Sequence, residues 1–389
     1  MPVLMPDNNL EHSKTLCITN DFGPRAGGIE TFVVGLIQRM PKNSVIVYTA
    51  SQEGSEAFDA MWLRDYGVEV IRDSSKVLLP SFRVGRNVRK LVRERNIKSA
   101  FFGAAAPLAL LAPGLRAAGV TRIVALTHGH EVWWSRLWPF SSAIARIACA
   151  VDSLTYLGDF TRGEIAKALD HESVAKLVRI APGIDTEHFT PRTDAQGLRE
   201  SLGLGNKKVI VSVGRLVHRK GQDVLIEAMP EIITSITDAH LLLIGEGPYK
   251  KELEKRIKNL GLEDRVTFVG RVQYADLPRY ICVGDVFAMP SRSRLAGLEV
   301  EGLGIVYLEA SACGLPVIGG ISGGAPDAVL HGETGFSVDG RSAHEVAEAL
   351  VRVLADKELA QRLGARGRQW VIEQWQWQMW SERFNQLLK

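Results

Sequence analysis

Four short segments of this chain combine charge, glycine and histidine in ways that suit phosphate and hydroxyl chemistry. The most specific is Glu301-Gly302-Leu303-Gly304-Ile305-Val306-Tyr307-Leu308-Glu309, which sets two carboxylates eight positions apart. Eight residues is slightly over two helical turns, so a helix through this segment would carry both on one face. The Gly302-Leu303-Gly304 step would open that helix and leave free N–H groups beside Glu301. Such carboxylates suit a metal ion or the hydroxyls of a sugar and a ribose. No other acidic cluster nearby completes a metal shell, which favours hydroxyls. The plain alternative is a helix with solvent-facing glutamates.

The second segment is Gly214-Arg215-Leu216-Val217-His218-Arg219-Lys220-Gly221, after a strand and before a helix. Gln222 stands where a Walker A loop has its Lys. The segment still puts two or three cations beside a helix start. Arg contacts a diphosphate bidentately and Lys as a point charge. A solvated basic turn is the alternative. The third, Gly23-Pro24-Arg25-Ala26-Gly27-Gly28-Ile29-Glu30, also joins a strand to a helix, where N–H groups bind anions and glycine lets a phosphate come close. Its glycines do not fit the dinucleotide fingerprint, and a tight turn would look the same. The fourth, Thr127-His128-Gly129-His130-Glu131, ends a strand, where parallel sheets bind ligands. Its crowded spacing matches no zinc enzyme, so His128 is the functional candidate.

A basic stretch completes the set. Lys76 to Lys98 holds eight Lys or Arg and one acid, Glu94. Arg83, Arg86, Arg89, Lys90 and Arg93 fall at helical spacings among Val84, Val88, Leu91 and Val92, and Trp133 and Trp134 follow His128 closely. Basic amphipathic helices with nearby tryptophans suit an anionic membrane surface. A solvated crossover helix with inward-packing aromatics is the alternative.

The elements that must carry these segments alternate. Thr15–Thr19, Ser44–Thr49 and Arg122–Leu126 read as buried strands, with helices over Gly28–Met40 and Phe82–Arg95. The pattern restarts with strands at Lys208–Val213, His240–Ile244, Val266–Val269, Val286–Met289 and Pro316–Gly319, and a helix over Gln222–Met229. Pro182 to Pro191 reads as the join. The fold class is therefore α/β, with two Rossmann-like, doubly wound domains facing across a cleft. The first spans 1–186 and the second 192–371. Trp370–Leu388 reads as a core-packing amphipathic helix, of which 372–389 crosses back to brace the first domain.

At 389 residues, 46% hydrophobic and 23% charged, the chain suits two globular cores. The net charge of +3 implies no nucleic-acid partner, and all of it falls in residues 1–190, with 22 Lys/Arg against 19 Asp/Glu. Cys17, Cys149, Cys282 and Cys313 are far apart, so they suggest reduced thiols in the cytoplasm. Asp7 and Glu11 break any apolar core near Met1, so no signal peptide is expected. Phe101–Leu115, broken by Pro107 and Pro113, is too short to span a membrane. Any membrane contact is expected to be peripheral, on the inner face.

Together, Gly27-Gly28-x-Glu30, Gly214-Arg215 with Lys220-Gly221, Glu301 to Glu309, Ala312 to Ile318 and Gly332-x-Thr334-Gly335 resemble the retaining family-4 glycosyltransferases, from about residue 15 to the C-terminus. Asp327 departs from that pattern where Glu is usual, and His331 stands where Asp or Asn is frequent. The resemblance implies the GT-B fold, with an acceptor site in the first domain and a nucleotide-sugar site mostly in the second. More narrowly, the chain is similar to members that use GDP-mannose as co-substrate and a phosphatidylinositol mannoside lipid as acceptor, with no metal cofactor.

The resemblance gives Arg215 and Lys220 the diphosphate, and Glu309 the ribose. Glu301 and the N–H groups of Gly302, Leu303, Gly304, Ile305 and Val306 take the sugar and phosphate, and Gly27 and Gly28 also fall to donor binding. The backbone of Gly270, Arg271 and Val272 meets the base, and His128 meets the transferred sugar. His128, Glu301, Arg215 and Lys220 form the expected catalytic set. No carboxylate is placed as a nucleophile, which favours front-face attack. The residues alone leave GDP and UDP both open as donor nucleotides. They also leave room for a soluble acceptor, a nucleotide-sugar epimerase or a non-catalytic lipid- or nucleotide-sugar-binding protein.

Overall fold

Short, wholly buried strands such as Val45–Ala50 and Ala239–Ile244 need helices on both faces of their sheet, and this chain supplies them. The structure, a computed structural model, describes residues 14–24, 27–192 and 194–389. The N-terminal residues weighed for a leader, and Arg25 and Ala26 of the first glycine-bearing turn, lie outside the described residues.

Among the described residues the first unit has seven strands: β1 (Thr15–Thr19), β2 (Val45–Ala50), β3 (Glu69–Asp73), β4 (Ser99–Phe102), β5 (Arg122–Ala125), β6 (Ser153–Tyr156) and β7 (Leu177–Arg179). They lie in the order β3-β2-β1-β4-β5-β6-β7. The pairs from β3 through β6 are parallel. Its helices are α1 (Gly28–Ile37), α2 (Ser55–Tyr66), α3 (Phe82–Glu94), α4 (Ala112–Ala118), α5 (Glu131–Arg136), α6 (Phe140–Ala150) and, beyond α7 (Asp159–Ala166), which groups with the second unit, α8 (His171–Val174). Ser81 starts α3 by accepting from the Val84 N–H, and Val84, Val88, Leu91 and Val92 bury its apolar face.

The second unit repeats the plan with β8 (Lys208–Val213), β9 (Ala239–Ile244), β10 (Val266–Gly270), β11 (Val286–Met289), β12 (Val317–Gly320) and β13 (Gly335–Val338), in the order β10-β9-β8-β11-β12-β13, all parallel. Besides α7, its helices are α9 (Ala195–Ser201), α10 (Gln222–Ser235), α11 (Lys250–Leu260), α12 (Leu277–Ile281), α13 (Ile305–Ala312), α14 (Ala343–Ala355), α15 (Lys357–Gln374) and the start of α16 (Trp377–Leu387), whose residues from Ser381 on group with the first unit. Leu225, Met229, Leu241, Leu243, Val346 and Leu350 form part of its core.

Strand ends differ from the sequence expectation by a residue, but α10 differs more. It runs past Met229 and Pro230 because Ile232 is fully buried in the core. The apolar stretch Phe101–Leu115 divides into the end of β4, a 3-10 turn at Leu108–Leu111 and the start of α4. The expected single C-terminal helix is two, broken at Trp375 and Gln376, where the Ile184 N–H donates to the Trp375 carbonyl at 2.7 Å.

By contacts the first unit holds residues up to Thr155, Ala168–Ile180 and Ser381–Lys389; the second holds Tyr156–Lys167 and Ala181–Trp380. Tyr156–Lys167, read above with the first domain, packs with the second unit, where Asp327 Oδ2 accepts from the Phe160 N–H at 3.2 Å. In the first unit Phe384 meets Phe101 with ring centroids 5.1 Å apart, and Arg122 Nε donates to the Leu387 carbonyl at 2.7 Å.

Candidate functional site

Strand order reverses beside β1 and β4 in one sheet and beside β8 and β11 in the other. Ligands of open α/β sheets bind outside the carboxyl ends of the strands at such points. The sequence candidates follow those ends.

In the second unit, β8 leads into Gly214–Gly221 and β11 into the loop that reaches Glu301. The two loops are tied together. The Arg292 N–H donates to the Arg219 carbonyl at 2.9 Å. Gly221 has φ 77°, and a Cβ there would meet the Pro290 carbonyl oxygen at 2.1 Å, so only glycine allows this approach. Asp223 supports the same turn. It accepts from Arg292 Nη2 at 2.6 Å and Tyr249 Oη at 2.9 Å, while the Tyr249 ring lies against His218 with centroids 3.6 Å apart. Burial would raise the Asp223 carboxyl, but Arg292 and then Tyr249 outweigh it and hold it below its ordinary value.

Glu301 is buried at the centre. Its Oε2 accepts from Arg219 Nη1 at 2.6 Å and lies 2.8 Å from Lys220 Nζ. Burial alone would raise its carboxyl; Lys220 and Arg219 together hold it below the ordinary value. The Gly324 N–H donates to the Glu301 carbonyl at 2.8 Å, fixing the backbone. Arg215 is exposed, and its carbonyl accepts from Gln222 Nε2 at 3.3 Å.

The shared helical face expected for Glu301 and Glu309 is not present. The helix α13 begins only at Ile305, so Glu301 lies in the preceding loop. Gly304 forces the break. It has φ 80°, and a Cβ there would meet the Tyr307 ring at 2.4 Å. Tyr307 anchors the first turn of α13, donating to the Met289 carbonyl at 2.7 Å. Ile305 and Val306 therefore present N–H groups at a helix start. Glu309 is buried in α13 with no hydrogen-bond or ion-pair partner for its carboxylate among the described residues, and burial pushes it up to about 7. At the end of β10 the Gly270 carbonyl accepts from the Gly245 N–H at 2.8 Å, and Arg271 and Val272 follow, exposed and half-buried.

In the first unit, His128 follows β5. Glu131, fully buried, reaches back so that its Oε2 accepts from the His128 N–H at 2.9 Å. His128 Nε2 meets the Gly103 carbonyl, at the end of β4, at 2.5 Å. A carbonyl only accepts, so Nε2 carries the proton and Nδ1 is the free acceptor of the neutral ring. Burial pushes His128 below its ordinary value, which keeps the ring neutral. Phe32 of α1 packs edge-on against it at 5.5 Å, so His128 lies beside α1.

The basic face changes in one respect. Arg83 donates to both carboxylate oxygens of buried Asp73, at 3.0 and 2.7 Å, and drives that carboxyl well below the usual range. Arg83, though exposed, is therefore also tied to the fold through Asp73. Arg86 and Lys90 are exposed and Arg89 is half-buried. Trp133 and Trp134 are half-buried and pack against Phe140, each at 4.9 Å. Among the described residues the most exposed aromatics are Trp138, at 83%, and Phe82, at 79%.

Sequence reasoning missed Arg219 as a partner of Glu301, the Arg292–Asp223 support, and Glu131 with Gly103 around His128. Arg219 was legible as a cation in the turn. The others depend on contacts between segments distant in the chain.

Residues 26–188 match Glycosyltransferase Family 4 and residues 194–370 match Glycosyl transferases group 1. The chain is 44% identical over 381 residues to the GDP-mannose-dependent alpha-(1-6)-phosphatidylinositol monomannoside mannosyltransferase of Mycobacterium tuberculosis, covering 97% of this chain and 98% of that protein. A Corynebacterium glutamicum relative described as acting on the monoacylated monomannoside is 40% identical, covering 97% and 98%. Among solved structures, Anabaena HepE with UDP superposes with TM-score 0.80 at 20% identity, covering 96% of this chain and 99% of that one. Sucrose-phosphate synthase from Thermosynechococcus elongatus superposes with TM-score 0.76 at 21% identity, covering 96% and 98%. These two likenesses show the fold.

Proposed function

This chain belongs to glycosyltransferase family 4, and we propose that it transfers mannose from GDP-mannose to a phosphatidylinositol mannoside, with retention of configuration. The relatives' activity supports the choice of donor and acceptor. The geometric observation that carries the reading is the buried Glu301, gripped by Lys220 and Arg219 at the point where the second sheet reverses its strand order.

Lys220 and Arg215 take the diphosphate, helped by the N–H groups at the start of α13. Glu309, buried and with no partner for its carboxylate among the described residues, accepts from the ribose hydroxyls. Glu301 accepts from sugar hydroxyls, and the backbone at Gly270–Val272 meets the base. His128 offers Nδ1 as an acceptor to a hydroxyl of the transferred sugar. In the reaction the bond between the anomeric carbon and the diphosphate oxygen breaks, and an acceptor oxygen bonds that carbon on the same face. The acceptor proton passes to the departing phosphate oxygen. Positive charge grows on the sugar and negative charge on the diphosphate, where oriented cations and N–H groups stabilise it most.

The lipid acceptor implies work at a membrane surface, and no helix among the described residues is long and apolar enough to cross one. The basic face of α3, with Arg86, Arg89 and Lys90, meets anionic headgroups, and exposed Phe82 and Trp138 enter the interface. The test of this reading is the anomeric configuration of the lipid product made from GDP-mannose and phosphatidylinositol monomannoside. An α-linked mannose is expected, and a β-linked product overturns retention.

A further inference from the structure

We infer that Arg219 is a positioning residue for the transfer reaction, the cation that stays on Glu301 when Lys220 turns to the donor diphosphate. The inference rests on the reading that Lys220 holds the diphosphate. Without donor, one carboxylate oxygen serves both cations: Glu301 Oε2 lies 2.6 Å from Arg219 Nη1 and 2.8 Å from Lys220 Nζ. Glu301 is 7% exposed, so water cannot replace a departing cation. A buried carboxylate that loses its partner is heavily penalised. Lys220 can reach the diphosphate cheaply only if another charge remains behind.

The two cations differ in freedom. Lysine is a point charge on a flexible stem, while arginine is a planar fork. Arg219 is also held from behind. Its carbonyl accepts from the Arg292 N–H at 2.9 Å, and its Nε lies 3.9 Å from Glu299 Oε1. Glu299 is in turn held by Arg294, with Oε2 3.1 Å from Nη1. Arg294 and Glu299 also pair through their backbones across a tight loop. The guanidinium thus stays beside Glu301, keeps Oε2 occupied, and leaves Oε1 for the sugar.

The test is calorimetric GDP binding to the full-length protein and its variants, with thermal melts as a folding check. Arg219→Gln is expected to weaken GDP binding about tenfold, because Lys220 is then retained by Glu301. Arg219→Lys restores most of the affinity. The double variant Arg219→Gln/Glu301→Gln also regains it, because no carboxylate competes for Lys220. If Arg219→Gln does not fold, Glu299→Gln replaces it, with a smaller loss that Glu301→Gln again relieves. Wild-type affinity in Arg219→Gln overturns the inference. So does a double variant no better than the single, which would mean that Arg219 touches the diphosphate itself. Unchanged GDP binding in Lys220→Gln instead overturns the reading beneath it.

Discussion

Lys220 Nζ lies 2.8 Å from Glu301 Oε2, a buried ion pair that, with Arg219 on the same oxygen, closes the turn after β8 on the loop after β11. Both residues are under 10% exposed. On the proposed reading, the pair brings the group that takes the diphosphate and the group that takes the sugar into the same few ångströms before any donor arrives.

Removing the cation should therefore affect the chemical step. Lys220→Ala should lower kcat/KM for GDP-mannose by about 10²–10³-fold, the usual cost of losing one preorganised partner of the leaving group. Steady-state GDP release measures it, and a loss under about threefold would contradict the role.

Glu309 should trade stability for binding. Its carboxyl sits at about 7 in the fold against 4.5 ordinarily, so the folded state prefers it protonated. Folding suffers nothing from it below about pH 4.5 and loses stability as pH rises to 7, by about 3 kcal/mol once it is fully ionised. Glu309→Gln cannot ionise. Its melting temperature relative to wild type should climb between those pH values, while GDP affinity falls about tenfold through weaker ribose bonds. Parallel melting curves across that range would contradict the assignment.

His128 is held by Glu131 and Gly103 with Nδ1 left to accept. His128→Ala should reduce kcat about 100-fold or more and leave GDP affinity within about twofold, because the imidazole serves the sugar rather than the nucleotide. Wild-type turnover would remove His128 from the reaction.

Reversing Arg86, Arg89 and Lys90 to Glu should abolish binding to phosphatidylinositol-containing vesicles, at roughly 1 kcal/mol per charge lost near the surface. Arg83→Ala should behave differently. It should leave vesicle binding intact and lower the melting temperature at neutral pH, because buried Asp73 loses the guanidinium and keeps only Tyr48 and Ser75 as donors among the described residues. That carboxyl is depressed in the fold, so the deficit should shrink as pH falls below about 4, where Asp73 in the unfolded chain is protonated. Equal vesicle binding by the triple reversal and wild type would remove the membrane face from the account.

The sequence displayed the segments of this candidate site because they sit at strand ends, where short glycine-bearing turns are local features. Lys208–Val213 reads as a strand from its own residues, and Gly214–Gly221 must follow it. Glu301 and Glu309 were visible as a pair but not in their geometry. A helical pattern cannot show that Gly304 adopts φ 80° and delays the helix to Ile305. Arg83 looked like its neighbours on α3 because its partner, Asp73, lies across a loop at the end of β3. The Asp223 network was hidden for the same reason, since Tyr249 and Arg292 reach it from different loops.

The account stands most directly on nucleotide release from GDP-mannose, measured beside UDP-glucose, each with and without phosphatidylinositol monomannoside in vesicles. It predicts GDP release that depends on the lipid and yields a lipid carrying one more mannose, with UDP-glucose inert. Lipid-independent release, or turnover of UDP-glucose in place of GDP-mannose, would contradict it.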